Sequence, residues 1–160
     1  MLLRSLGVPF TAEYVRISGG GFNEALQAQS PSCLVPILRT EAGELVWDSL
    51  AICEYLAERL PVGTVWPADA TARTHARCIT AEMHAGFNDV RSALPCNAKL
   101  RLQGLVQPLT PLAAAQVARI ARMWTHARET FGMTAGPFLF GTWTAADAFY
   151  APVVSRFVSE

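Results

Sequence analysis

The sequence predicts an α+β domain over residues 1–62 followed by an all-helical domain over residues 63–160. Two observations carry that prediction. Up to about Pro61, short β-rich runs alternate with short helical ones. Beyond it, apolar residues recur at steps of three and four, the spacing of a buried helix face. A third observation permits both halves to fold: 51% of residues are hydrophobic and 16% charged, enough to build a sizeable core.

The first half reads element by element. Met1 to Leu6 has the pattern of the last turns of a helix, stopped by Gly7 and Pro9. Glu13-Tyr14-Val15-Arg16-Ile17 alternates and is rich in β-formers, so it is expected to be a strand. Gly19-Gly20-Gly21 ends it, and Phe22 to Gln29 suits a short helix. Leu34 to Leu38 and Leu45 to Trp47 are two more expected strands, joined by a turn around Glu41-Ala42-Gly43. The connection is too short for a crossover helix, so the two should pair antiparallel.

The second half opens after a Pro- and Gly-containing hinge, Leu60 to Pro67. Ala72, Ala76, Ile79, Met83, Phe87, Val90 and Leu94 form one face of a helix about six turns long. Ala113, Val117, Ile120, Trp124, Ala127 and Phe131 form a second, with Thr110 as its cap and Pro111 at its first position. Thr144-Ala145-Ala146-Asp147 opens a third, with Asp147 placed to reach back to the Thr144 amide. Pro152 lies deep in that helix and should bend it. Trp47, Trp66, Trp124 and Trp143 are expected in the core or at domain interfaces. The sequence has no internal repeats and no low-complexity segment.

Several functional classes lack a sequence basis. Lys+Arg and Asp+Glu both count 13, so the formal net charge is zero and no basic footprint for nucleic acid is visible. Apolar runs are broken by Arg, Glu or Pro well short of a membrane span. The start, MLLRSLGVPF, interrupts its apolar stretch with Arg4 and does not resemble a signal peptide. Cys33, Cys53, Cys78 and Cys96 form no CxxC pair, and His75, His84 and His126 are scattered, so no metal site is expected. Such isolated thiols suit a reducing cytoplasm. Cys33 has nothing nearby in sequence to activate it and is read as inert.

In residues 44–61, ELVWDSLAICEYLAERLP, a strand runs directly into an amphipathic helix through Asp48 and Ser49. Both are favoured helix caps, worth about 1 kcal/mol where they cap. A helix N-terminus also offers free N–H groups and partial positive charge to an anion. The residues alone allow either role.

Taken together, Ser30-Pro31, Val35-Pro36, the strand ending at Trp47, Asp48-Ser49, and Ile52 with Tyr55-Leu56 resemble the cytosolic glutathione transferase family, bacterial type. The resemblance continues through Trp66-Pro67, Ala81-Glu82-Met83-His84 and Phe138 to Pro152. It implies a thioredoxin-like first domain and a helical second one. It implies a cis bond before Pro36, with the Val35 backbone pairing to the cysteinyl part of glutathione like a rung added to a sheet edge. It places the γ-glutamyl carboxylate on the Ser49 hydroxyl and amide, with Asp48 orienting the nearby backbone or the γ-glutamyl amine. Glu82 and His84 would lie on the helix that lines the electrophile's cleft.

Glutathione is therefore the implied co-substrate and a small electrophile the partner, conjugated or isomerised in a cytoplasmic homodimer with a detoxifying role. The family's first strand and the loop after it have no counterpart before Leu2-Leu3-Arg4, and relatives continue past Glu160. The chain is thus expected to be shortened at both ends, with its thioredoxin-like domain lacking the first strand. That loop carries the Ser, Tyr or Cys that activates the thiol. Ser5 lies toward the wrong end of the helix, so the catalytic residue is unknown and the chain's activity uncertain. The alternative is a non-catalytic binding or dimerisation module.

Overall fold

The structure, a computed structural model, describes residues 1–15, 24–94 and 108–159. The chain divides into two compact units, Leu3–Pro61 and Val62–Glu160 together with Met1–Leu2.

Early in the chain, α1 (Leu2–Ser5) ends where Gly7 takes a left-handed conformation and Val8 donates its amide to the Leu3 carbonyl at 3.0 Å. A second short helix, α2, spans Glu24–Gln27. Strands β1 (Ile37–Arg39) and β2 (Leu45–Trp47) pair antiparallel, with Ile37 opposite Trp47, Leu38 opposite Val46 and Arg39 opposite Leu45. Their turn is closed by Thr40, whose hydroxyl accepts from the Glu44 amide at 3.0 Å and whose own amide donates to the Glu44 carbonyl. The ladder starts three residues later than expected from Leu34, because Pro36 has no amide to contribute.

Of the strand expected over residues 13–17, Glu13, Tyr14 and Val15 are not in a strand, and Tyr14 is 86% exposed. Alternation alone does not make a strand of these exposed residues. Arg16 and Ile17 lie outside the described residues. Helix α3 (Ser49–Arg59) follows β2 directly, packs on both strands and buries Cys53 and Leu56.

In the second unit α4 (Ala70–Ala85) is capped by Asp69, whose carboxylate accepts from the Ala72 amide at 2.8 Å. The single long helix expected through Leu94 is two. Helix α4 ends at Gly86, Phe87 adopts φ 60°, and α5 (Asn88–Ala93) starts again. Phe87, Val90 and Leu94 are nevertheless buried, so the apolar rhythm survives the break that it conceals. Arg91 spans the corner, donating to the Met83 and Gly86 carbonyls at 2.6 and 3.1 Å. Gln116 completes it from the next helix, accepting from the Val90 amide and donating to Asp89.

Helix α6 (Pro111–Ala127) starts at Thr110, whose hydroxyl accepts from the Ala113 amide, with Pro111 at the first position. It runs into a π turn, Arg128–Gly132. The connection onward is gathered by Arg128, whose guanidinium donates to the carbonyls of Gly132, Gly136 and Phe138. Helix α7 (Ala145–Ser159) opens at Thr144, with Asp147 accepting from both the amide and the hydroxyl of Thr144 at 2.9 Å. Pro152 lies inside it.

The core of this unit comprises residues such as Ala76, Ile79, Met83, Ile120, Tyr150 and Val153, where α4 packs against α6 and α7. Among the described residues no helix is long and apolar enough to cross a membrane.

Candidate functional site

Between β1 and α3 the sequence brings two unusual backbone positions to one end of the hairpin. The Val35–Pro36 peptide bond is cis. The strand pairing stops at Ile37 opposite Trp47, so Val35-Pro36 and Asp48-Ser49 both adjoin the same end of the hairpin. Val35 is 48% exposed, so its main chain is not sealed under side chains.

Asp48 has φ 72° and ψ 131°, a conformation that a non-glycine residue rarely adopts. Its Oδ1 accepts from the Leu50 amide at 2.8 Å and the Ala51 amide at 3.3 Å. Two of the first amides of α3 are therefore satisfied by the cap, which leaves the amide and hydroxyl of Ser49 at the helix mouth for an incoming acceptor. The structure thus gives the two residues different tasks. Asp48 is a cap, while half-buried Ser49 offers two adjacent donors beside an exposed strand end.

The loop leading to the cis bond has its own fastening, which the sequence reading missed. Ser30 is buried and its hydroxyl lies 3.0 Å from that of Ser32, which also accepts from the Leu34 amide at 3.4 Å. Cys33 between them has φ 56° and is half-buried. The alternation of Ser and Pro in Ser30-Pro31-Ser32 was the available signal, since short hydroxyl side chains favour such local turns. Trp47, expected in a core or interface, is 44% exposed next to Asp48.

Cys53, one turn into α3, is buried. Burial pushes its thiol up to about 12, with the negative charges of Glu54 and Asp48 adding to the effect. It is a protonated core group at neutral pH.

Glu82 and His84 belong to the helical unit. Glu82 is gripped by Arg119 of α6 through two hydrogen bonds of 2.9 Å, which lower its proton affinity and raise that of Arg119. That fork ties α4 to α6 and accounts for Glu82 structurally. His84 is exposed, with its ring edge-on to Phe149 at 5.8 Å. Among the described residues no group of three or more His, Cys, Asp or Glu side chains suits a metal ion.

Comparisons with known proteins meet this geometry. Residues 1–59 match the family model of the glutathione S-transferase N-terminal domain. Over 78 residues the chain is 38% identical to a maleylpyruvate isomerase from Ralstonia sp, a match covering 47% of this chain and 35% of that protein. A glutathione S-transferase from Rhodospirillum rubrum F11 shares the fold, with a TM-score of 0.58 at 23% identity, over 84% of this chain and 61% of the other. The chain therefore spans 35% of the isomerase and 61% of the solved transferase.

A hairpin running into a capped helix, followed by a helical unit, gives a thioredoxin-like domain and then a helical domain. Residues 1–59 match the glutathione S-transferase N-terminal domain, and the chain shares its fold with a solved glutathione S-transferase.

Proposed function

We propose that this chain binds glutathione at Val35, Pro36, Asp48 and Ser49 and presents its thiol to a small electrophile. One observation supports the reading: the exposed residue Val35 and the start of α3 at Ser49 both adjoin the Ile37–Trp47 end of the hairpin. A peptide laid there can pair its backbone with Val35 and set a carboxylate against the start of α3. Asp48 holds the helix end open by capping the next two amides rather than the first.

The isomerase relative favours isomerisation over net conjugation. A thiolate that adds to an electrophilic carbon, and later leaves, returns glutathione unchanged and releases the substrate as its isomer. The reaction is proposed to run in a cytoplasmic homodimer.

Calorimetric titration with glutathione tests the reading. Saturable binding by the wild-type chain that weakens severalfold in Ser49→Ala supports it. A folded chain that takes up no glutathione overturns it. A second reading, a non-catalytic module that docks another copy, draws on the exposed Leu34, Val35 and Trp47. It predicts a dimer whose formation is insensitive to glutathione.

A further inference from the structure

A second cluster, wholly inside the helical unit, has no part in glutathione binding. The first turns of α4 meet the end of α6 and the π turn around His75. The His75 ring lies edge-on to His126 at 5.0 Å, tilted against Phe131 at 5.5 Å, and edge-on to Phe140 at 6.1 Å. Phe131 in turn packs on Phe140 at 5.6 Å and against His126 at 6.5 Å. An open cavity of about 590 Å³ runs alongside, lined by Thr71, Thr74, His75, Cys78, His126 and Phe131.

The Nε2 atom of His75 is buried and has no hydrogen-bond partner. A neutral imidazole has one N–H to place and one lone pair to fill; an imidazolium has two N–H groups and a full charge. The cage supplies rings, and the charged groups that act on His75 are His126 and Arg119, both of the wrong sign for a partner. Glu82, the acid near them, is already held by the Arg119 fork. His126 itself has the Thr130 hydroxyl 3.5 Å from its Nδ1.

We propose that the His75–His126 contact is an acid-sensitive joint, which holds the start of α4 against the π turn only while the His75 imidazole is neutral. Below neutrality, charging His75 would put a second N–H on a ring whose buried Nε2 has no acceptor, and the joint opens. The opening is read at the cavity, where His75, His126 and Phe131 line the wall. Burial, His126 and Arg119 all lower the proton affinity of His75, in that order. A depressed folded-state value makes the unfolded or opened form bind the proton more readily. The protection therefore stands above the ordinary value of 6.5 and is lost as pH falls below it.

Amide hydrogen exchange of the full chain, expressed as protection factors between pH 7.5 and 5.0, tests this. Protection of residues 71–78 and 126–132 should fall by about tenfold for each unit by which His75 is depressed. His75→Phe should flatten the pH dependence. If that variant does not fold, an NMR titration of the His75 ring in the wild-type chain decides. A midpoint at or above 6.5, or protection in residues 71–78 that does not change with pH, overturns the proposal.

Discussion

Tyr150 in α7 donates its phenolic hydrogen to the main-chain oxygen of Ile79 in α4, 2.9 Å away and fully buried. Trp124 of α6 meets the same ring edge-on at 5.5 Å, so one side chain registers three helices against each other. Tyr150→Phe keeps the ring and loses the bond. It should cost about 1 kcal/mol in urea unfolding, the net value of a buried hydrogen bond. Burial also raises the Tyr150 proton affinity above the ordinary value of 10, with Glu82 adding to it. A raised folded-state value gives stability that is complete below pH 10 and declines as pH climbs further. Wild-type melting temperature should therefore fall above pH 10 more steeply than that of Tyr150→Phe.

Asp147 accepts from three donors: the Thr144 amide, the Thr144 hydroxyl and the Leu139 amide, each at 2.9 Å. Alanine there strands the Thr144 donors in a buried setting. The expected loss is about 3 kcal/mol by chemical denaturation, at the upper end of single-cap effects because more than one bond to a carboxylate goes at once. Glutathione affinity should survive in whatever fraction remains folded.

Asp48 separates capping from ligand binding. Asp48→Ala removes two cap bonds and keeps a side chain at φ 72°, so stability should drop by about 1 kcal/mol. Asp48→Gly loses the same bonds but relieves backbone strain of about 1–3 kcal/mol, so its stability should lie close to wild type. If Asp48 also touches the γ-glutamyl amine, both variants bind glutathione more weakly than wild type in calorimetry. Unchanged affinity in the glycine variant would reduce Asp48 to a cap.

The thiols should separate by location. Cys53 is buried with its thiol pushed up to about 12, whereas Cys78 is exposed on α4. At pH 8, iodoacetamide followed by peptide mass mapping should label Cys78 within minutes and Cys53 only after denaturant is added. Rapid native labelling of Cys53 would mean that α3 opens readily from the sheet.

Where chemistry is local, the sequence was legible. Thr110-Pro111, Thr144 with Asp147, and Asp48 mark three helix starts, and the structure shows each cap bond. The hairpin was legible because Glu41-Ala42-Gly43 leaves no room for a crossover. The corner at Gly86-Phe87 was not, because Phe87, Val90 and Leu94 stay buried on both sides of a break made by backbone rotation and by Arg91. The described part of the strand expected over 13–17, Glu13 to Val15, differs for the opposite reason: a β-like pattern needs a neighbour, and Tyr14 is 86% exposed. The donors at Ser49 were visible as residues. Their vacancy depended on which amides Asp48 would take, and spacing does not encode that.

The Arg128 hub has a consequence for how this chain tolerates change. Three carbonyls between α6 and α7 converge on one guanidinium, so the path of that connection is set by the residue that opens it. Met133 and Thr134 point to solvent and are free to drift. Gly136 and Gly141 are not, since a side-chain carbon on Gly136 would strike the Gly141 carbonyl and one on Gly141 would strike Ala135. Variation should therefore collect at the outward positions of this loop, while a lysine in place of Arg128, one charge but no fork, would let the whole connection wander.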